Sequence, residues 1–145
     1  MIDLFDRIRL LQQTSIFSEV ETDDLRFVAE SLQEEIFFKG DQIFNEKDYG
    51  NEMYIIVSGE IGISITNRQD EYISTLGTGE CFGEMNLLDG LPRSATAFVI
   101  EDCKLLSLSK SNLRGLILSY PEISLGIFRS LSLRLRDTNK KTRGD

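Results

Sequence analysis

The chain has 145 residues, of which 41% are hydrophobic and 28% are charged, so it can bury a core and lacks the composition of a disordered tail. Its formal net charge of −8 argues against direct binding to nucleic acid, which requires a surplus of Lys and Arg. The sequence contains no histidine, which excludes His-based metal sites and His general bases, so we expect neither a metal cofactor nor an enzyme.

The N-terminal residues 1–34 predict two short helices. Leu4, Ile8 and Leu11 recur at helical spacing, and a second helix is predicted to begin at Thr22, a residue type that favours the N-cap. Neither apolar face is long enough to be stable alone, so both helices are expected to pack on another element. The face of the second helix consists of Leu25, Val28, Ala29 and Leu32.

Residues 35–108 change to short runs rich in Ile, Val, Phe and Tyr, separated by Gly, Asp and Asn. Such runs predict strands joined by turns, and the polar segment Asn67–Asp70 is typical of a hairpin tip. Eight short strands with glycine turns predict a jelly roll or β-roll, so the expected fold class is mainly β with flanking helices (α+β). The predicted strands are Ile36–Phe38, Gln42–Phe44, Met53–Val57, Glu60–Ile65, Tyr72–Leu76, Cys81–Phe82, Ala95–Ile100 and Cys103–Leu108.

Helical spacing returns in residues 109–136, which predict a pair of C-terminal helices. The first ends before Pro121, and the last runs from about Pro121, a favoured first helical residue, to about Arg136. The tail, residues 137–145, is polar and is expected to be frayed, which completes a single domain over residues 1–145. The narrow apolar stripe of the last helix consists of Phe128, Leu131 and Leu135.

Two cysteines, Cys81 and Cys103, allow at most one disulfide. Free cysteine is among the most buried residue types, and disulfides are rare in the cytosol. We therefore expect two buried, reduced thiols.

The segment Phe82–Thr96 has the features of a small anion cradle. Gly83 precedes a predicted helical turn, so the backbone can come close to a ligand, and the free N–H groups at the start of the turn point toward it. Arg93 adds a planar fork suited to bidentate contact with phosphate, and Ser94 and the N–H group of Ala95 add donors.

Glu84 does not fit beside an anion unless its carboxylate accepts a hydrogen bond from a hydroxyl group, such as a ribose 2′-OH. A phosphate contact together with a sugar contact indicates a nucleotide. The residues alone leave a second interpretation open, in which the segment is a plain turn closed by a salt bridge between Glu84 and Arg93.

The stretch Phe82–Ala97 resembles the phosphate-binding cassette of the cyclic-nucleotide-binding domain family. That family includes catabolite-activator-type regulators, regulatory subunits of cAMP-dependent kinase, exchange factors and cyclic-nucleotide-gated channels. The resemblance extends to Gly40-Asp41, after the first predicted strand, and to Gly50–Ile61, which is similar to the family's central strand-turn-strand block. It implies a β-roll with N-terminal helices and a C-terminal helix pair that binds a cyclic nucleotide as its ligand.

The resemblance also implies a role for each cassette residue. Glu84 would bind the ribose 2′-hydroxyl group, Arg93 would pair with the cyclic phosphate, and Ser94 would assist it. The family usually has alanine at the position of Asn86, so the role of this side chain is left open. Further donors to the ligand would be the backbone N–H groups around Gly83, Met85, Asn86 and Ala95.

The family places the purine against apolar strand residues, often under the last helix. By position, the expected wall consists of Ile63, Ile73 and Phe82, and the expected lid is Leu131 or Leu135. At the position of Ser94 a threonine is associated with cGMP-preferring relatives, so the serine favours cAMP, with cGMP as the alternative ligand.

These features favour a cAMP sensor or regulatory domain in which ligand binding changes the packing of the C-terminal helix. That helix is then the expected contact to a protein partner or to a second copy of the chain. Two alternatives stay open: a structural or adaptor module of the same fold that binds no nucleotide, and a regulatory fragment of a longer protein. The second arises because catabolite-activator-type regulators continue into a helix-turn-helix, for which this sequence has no counterpart.

The location expected from the sequence is the cytoplasm. No apolar run approaches the roughly 18 residues that a membrane helix needs. The first residues, Met1–Asp6, are acidic where a signal peptide would be basic. We therefore expect no membrane insertion.

Overall fold

Two helices precede the strands along the chain, one short helix interrupts them, and two helices follow. The structure is a computed structural model and describes residues 1–67 and 70–143. Within those ranges the elements are α1 (Leu4–Gln13), α2 (Thr22–Ser31), β1 (Gln33–Phe37), β2 (Gln42–Phe44), β3 (Glu52–Asn67), β4 (Asp70–Leu76), β5 (Cys81–Phe82), α3 (Glu84–Asp89), β6 (Thr96–Ser109), α4 (Lys110–Ser119) and α5 (Glu122–Arg143).

The two long strands β3 and β6 pair antiparallel and form the centre of the sheet. The strand order is β1-β6-β3-β4, while β2 also pairs with β6 and β5 also pairs with β3. This arrangement confirms the predicted class, a β-roll of the jelly-roll type with flanking helices. Because β5 pairs with β3 immediately before α3 begins, the sheet determines where α3 lies.

The predicted number of eight strands is not confirmed, since the described residues form a sheet of six. Two predicted pairs of strands are continuous: one pair forms β3, and the other forms β6. In β3 the register shifts between Ile56 and Ser58 and again on either side of Glu60, and Gly59 has φ +97°. Such bulges bend a strand without ending it, so a turn-like sequence lies inside a continuous strand.

Side chains that alternate along β3 enter two different cores. Met53 and Ile55 belong to a core that β3 shares with the helices, whereas Tyr54 and Ile56 belong to a second core inside the roll. Successive residues of a strand point to opposite faces, so a strand covered on both faces is apolar throughout. This explains the uninterrupted apolar run that begins at Met53.

The predicted helices are present, with differences at their ends. α2 begins at Thr22, but Glu21 occupies the N-cap position and makes no capping hydrogen bond through its side chain. α5 extends to Arg143, beyond the predicted end at Arg136, because no glycine or proline lies between Arg136 and Gly144.

Some predicted features lie outside the described residues. They are the centre of the hairpin tip, Arg68 and Gln69, and the end of the tail, Gly144 and Asp145. Among the helices that are described, none combines the length and hydropathy needed to cross a membrane.

Helix α5 is held against the turn that follows α1 by a close backbone contact and a buried hydroxyl. A Cβ atom added to Gly126 would lie 2.8 Å from Cα of Val20. The hydroxyl of Ser130 donates to O of Gly126 at 2.9 Å and accepts from N–H of Glu19 at 2.9 Å. A residue without a side chain is therefore needed at Gly126 to position α5.

We predict that Gly126→Ala lowers the free energy of unfolding by about 1–3 kcal/mol, because the added methyl group forces α5 away from Val20. The matched control is Gly115→Ala in α4, where an added Cβ meets nothing within 4 Å. This control should raise stability by about 0.5–1 kcal/mol through helix propensity alone. Urea unfolding of both variants measures the difference, and equal effects would contradict the close contact.

Candidate functional site

A cavity of about 310 Å³ opens beside the start of α3. α3 is flanked by two glycines in the left-handed region, Gly83 with φ 81° at its N-cap and Gly90 with φ 70° at its C-cap. Only glycine adopts this backbone conformation without strain, so these two residues set the short length of the helix. The lining residues are Phe44, Ile63, Ser74, Leu76, Cys81, Phe82, Gly83, Glu84, Met85, Asn86, Arg93, Ser94, Ala95 and Arg134.

Arg93 is buried at this cavity, with 4% of its surface exposed. Its Nη1 donates to O of Gly83 at 3.1 Å and to Oδ1 of Asn86 at 3.2 Å, and its Nη2 donates to O of Glu52 at 2.8 Å. One side chain therefore joins both ends of the first turn of α3 to the start of β3.

The Arg93 guanidinium is a buried cation whose hydrogen-bond partners are neutral oxygens. It lies 3.9 Å from the ring centroid of Phe44, and its Nε is buried without a hydrogen-bond partner among the described residues. Burial lowers the pKa of Arg93 from its ordinary value, and nearby Tyr54, Glu52 and Asp48 partly oppose this shift. Arginine nevertheless stays protonated in proteins, so the cavity presents a positive charge with no directly bonded carboxylate.

The backbone of Arg93 is held by the loop between β2 and β3. Its N–H donates to O of Asp48 at 2.7 Å, and its carbonyl accepts from N–H of Lys47 at 2.8 Å. Lys47 has φ 75°, a conformation that side-chain-bearing residues rarely adopt. This pair of hydrogen bonds fixes the position from which the Arg93 side chain enters the cavity.

Glu84, the first residue of α3, is also buried, with 7% of its surface exposed. Its Oε1 lies 3.4 Å from Nη1 of Arg134, which comes from α5. The alternative in which Glu84 forms a salt bridge with Arg93 is therefore wrong, because the two side chains have different partners. The ion pair connects the cassette segment directly to the C-terminal helix.

The structure gives Asn86 a structural role that the sequence left open. Its Nδ2 donates to O of Leu91 at 2.7 Å, while its Oδ1 accepts from Arg93. Both ends of the amide are thus used inside the segment, and Asn86 is 7% exposed. An alanine at this position would make neither hydrogen bond.

Residues 34–120, more than half of the chain, match the sequence profile of the cyclic nucleotide-binding domain family. The chain belongs to the cyclic nucleotide-binding domain family. The matched range contains the cassette, including Glu84 and Arg93, and the strands around the cavity.

Similar proteins in this family include regulators and kinase subunits. A CRP-like cAMP-activated global transcriptional regulator of Mycobacterium tuberculosis is 33% identical over 132 residues, which are 90% of this chain and 59% of that protein. The N-terminal domain of a transcriptional regulator from Streptomyces coelicolor A3(2) superposes with a TM-score of 0.80 at 27% identity, covering 92% of this chain and 94% of that one. The regulatory domain of Toxoplasma gondii PKA, crystallised with cAMP, superposes with a TM-score of 0.73 at 28% identity. The match covers 80% of this chain and 46% of that one.

The predicted wall residues of the cyclic nucleotide-binding domain fall into two groups. Ile63 and Phe82 line the cavity, whereas Ile73 is 59% exposed and is not part of the lining. Ser74 and Leu76 of β4 line it instead, and because side chains alternate along a strand, Ile73 points to the opposite face. The prediction was therefore displaced by one residue along β4, because the sequence of this strand alternates too weakly between apolar and polar residues to show which face is inward.

The predicted lid residues do not reach the cavity either. Leu131 packs against the core of the helices, and Leu135 is 61% exposed. Arg134 lines the cavity instead. It precedes Leu135 in α5, and successive residues of a helix point in directions about 100° apart. The apolar spacing of α5 therefore indicated the wrong face.

Cys81 lines the cavity but is not suited to be a nucleophile. Burial, and then the charge of Glu84, raise the pKa of Cys81 to about 12, although a hydrogen bond with Ser15 opposes them. Only a thiolate attacks or binds a metal, so this thiol is inert at neutral pH. Both cysteines are free, with Cys103 buried and Cys81 half-buried, and the described residues contain no group of three or more acidic or thiol side chains that could hold a metal ion.

Sequence reasoning missed two residues that shape the site. Phe44 covers the Arg93 guanidinium, and Gly50 leaves room for it, because a Cβ atom added to Gly50 would overlap Nε, Nη2 and Cζ of Arg93. Gly50 lies in the segment that resembles the family, but its reason for being glycine is a contact with a residue far along the chain.

We predict that Gly50→Ala lowers the free energy of unfolding by about 1–3 kcal/mol, since the guanidinium must leave its carbonyl acceptors. Gly77→Ala is the matched control, because a Cβ there meets nothing within 4 Å. Guanidinium chloride unfolding of the two variants checks this expectation. A Gly50→Ala variant as stable as the control would mean that Arg93 does not occupy this position.

Proposed function

We propose that this chain is a regulatory domain that binds a cyclic nucleotide, with a preference for cAMP, in the cavity beside α3. The observation that carries the proposal is the buried Arg93 guanidinium, which contacts neutral oxygens and an aromatic ring, and whose Nε has no hydrogen-bond partner in the described part of the chain. A buried cation that has no carboxylate hydrogen-bonded to it among the described residues favours an anion of matching shape, and a cyclic phosphate is such an anion.

In this proposal, each cassette group has a role toward the phosphate. Arg93 pairs with the phosphate, and the hydroxyl of Ser94 and the N–H of Ala95 add hydrogen bonds; all three line the cavity. The N–H groups of Gly83, Met85 and Asn86, where α3 begins, supply further donors that a helix start leaves unpaired. Asn86 contributes only its backbone, because its side chain is engaged by Arg93 and Leu91.

Glu84 is proposed to bind the ribose 2′-hydroxyl. One carboxylate oxygen is 3.4 Å from Arg134, and the second is proposed to accept the hydroxyl hydrogen bond. A carboxylate can accept several hydrogen bonds, so the ion pair with Arg134 and the contact with ribose do not exclude each other.

For the purine, the proposed wall is the apolar part of the lining, namely Ile63, Leu76 and Phe82. The preference for cAMP rests on Ser94, since threonine at this position is associated with relatives that prefer cGMP. The related regulatory domain of Toxoplasma gondii PKA was crystallised with cAMP, which supports the same choice.

The proposed output is a shift in the packing of α5. Arg134 joins α5 to Glu84, so a ligand that contacts Glu84 acts directly on the helix. The same helix exposes Leu125, Phe128 and Leu135, which favour contact with a protein partner or a second copy. A ligand that binds one arrangement of α5 more tightly shifts the population toward it.

We propose neither catalysis nor direct contact with nucleic acid. With a net charge of −8, the chain has no surplus of cations for a phosphate backbone. The alternative of an adaptor module without a ligand is disfavoured, because its hydrogen bonds could be made without burying a cation whose Nε has no hydrogen-bond partner among the described residues.

The test of this function is a calorimetric titration with cAMP and cGMP. Arg93→Ala should weaken cAMP binding by about 1.5–3 kcal/mol or more, which is roughly 10- to 150-fold, because a charge-assisted contact is lost. Arg26→Ala is the control, since Arg26 is exposed and forms an i,i+4 ion pair with Glu30 on α2. Absence of binding for both nucleotides would refute the function and favour the adaptor module.

The role of Glu84 predicts a specific pattern across ligands. Glu84→Ala should weaken cAMP binding more than it weakens 2′-deoxy-cAMP, because only cAMP has the hydroxyl that the carboxylate accepts. Calorimetry on the parent chain and the variant with both ligands gives a thermodynamic cycle, from which the coupling between Glu84 and the 2′-hydroxyl is calculated. Equal losses for the two ligands would show that Glu84 does not contact the ribose.

The role of α5 predicts a change in hydrogen exchange on binding. Saturating cAMP should alter the amide protection of α5 in the parent chain, and Arg134→Gln should reduce that response because the link to Glu84 is lost. Arg136→Gln, on an exposed position of the same helix, should respond like the parent. Unchanged protection of α5 in a saturated parent chain would rule out the proposed output.

A further inference from the structure

A second groove, which the proposed function does not use, runs between α3 and α4. It has a volume of about 410 Å³ and shares no lining residue with the cavity beside Arg93. Leu87 and Leu88 of α3 form one wall, and α4 forms the other. The lining residues, which define the α3–α4 groove, are Leu87, Leu88, Lys110, Leu113, Arg114, Ile117 and Leu118.

The groove has an apolar floor and a strongly exposed apolar rim. Leu113 and Leu87 are buried at 3% and 6% exposure, and they belong to the core of the helices. Leu118 is 71% exposed, although it belongs to the same helix as Leu113. A concave apolar surface of this kind, beside an exposed leucine, is the form of surface that accepts the apolar face of an amphipathic helix.

The α4 side of the groove is basic in a chain that is acidic as a whole. Lys110 and Arg114 are four residues apart on α4, so they lie on the same edge of the helix, and Leu118 continues that edge. Neither basic side chain takes part in the ion pairs found among the described residues, while the chain has a net charge of −8. The charge at this edge is therefore available to an acidic partner.

From this combination we propose that the α3–α4 groove docks an amphipathic helix with acidic flanks from a partner protein. The apolar face of the helix fills the groove, and its carboxylates pair with Lys110 and Arg114. The row Lys110–Leu118 spans about 12 Å, which corresponds to two turns of such a helix. The basic edge argues against α5 of a second copy as the occupant, because Arg129, Arg134 and Arg136 of α5 would meet like charge.

Both walls of the groove connect to Arg93, the α3 wall by hydrogen bonds and the α4 wall through the neighbouring residues Asn51 and Glu52. On the α3 side, Arg93 donates to Gly83 and Asn86. On the α4 side, N–H of Lys110 donates to O of Asn51 at 2.7 Å, next to Glu52, whose carbonyl accepts from Arg93. An anion that draws Arg93 away from these acceptors therefore loosens the supports of both walls.

The groove and the nucleotide cavity are consequently two linked sites, a statement that rests on the function proposed above. Linkage is reciprocal, so the factor by which cAMP changes the affinity of the docked helix equals the factor by which that helix changes the affinity of cAMP. For coupling of ordinary strength this factor is about 5 to 150.

The probe for docking is a fluorescein-labelled helical peptide of 18 residues, with leucines at i, i+3, i+4 and i+7 and glutamates on the flanks. Its anisotropy should rise on titration with the full chain, whereas a peptide with lysine flanks should bind at least about tenfold more weakly. Leu118→Glu should abolish binding. Phe38→Glu, which changes another exposed apolar residue away from the groove, should leave binding unchanged.

A charge reversal separates docking from general apolar adhesion. Arg114→Glu should lower the affinity of the chain for the glutamate-flanked peptide and raise its affinity for the lysine-flanked peptide. Equal binding of both peptides to the parent chain, or an unchanged affinity in Leu118→Glu, would overturn the proposal. Sedimentation is measured in parallel, and self-association of the chain that Leu118→Glu removes would overturn it in favour of a second copy as the occupant.

The same titration with saturating cAMP tests the linkage. A change in peptide affinity of at least about fivefold supports it, and an unchanged affinity in a chain that calorimetry shows to be saturated overturns the linkage alone. If the chain binds neither cyclic nucleotide, the proposed function fails, while the peptide titrations without nucleotide still decide whether the groove is a docking site.

Discussion

The burial of one guanidinium group organises this molecule. Arg93 joins the start of α3 to the start of β3 through neutral carbonyl and amide oxygens, and Phe44 covers its face. A charge that is buried in this way is costly unless a counter-charge compensates it, and this cost is the physical basis of the anion site proposed above. Gly50 is required to be small for this reason, since any side chain there would occupy the space of the guanidinium.

Two surfaces depend on that arrangement through different contacts. The ion pair between Glu84 and Arg134 connects the cavity to α5, and the hydrogen bond from Lys110 to Asn51 connects α4 to the residue before Glu52, whose carbonyl accepts from Arg93. In the function proposed above, a ligand at Arg93 biases both helices, which lie in different parts of the chain. This coupling requires that each helix has two arrangements and that the ligand binds one of them more tightly than the other.

The sequence predicted the cassette and most of the fold because their signals are local. The glycines around α3 and the arginine that follows it lie within one short stretch, and their backbone and charge requirements are independent of context. The misplaced residues all depended on contacts between distant segments. Ile73 was misassigned by one residue of strand register, and the bulges of β3 joined two predicted strands into one.

The sequence by itself therefore determined the family, the β-roll with its flanking helices and the segment that holds Glu84 and Arg93. Only the tertiary structure decided which groups these two side chains contact. Glu84 pairs with α5 rather than with Arg93, and Asn86, whose role the sequence left open, accepts a hydrogen bond from Arg93. The physical reason is that local signals specify which residue types a turn needs, whereas a partner is chosen by the packing of elements that are distant in the chain.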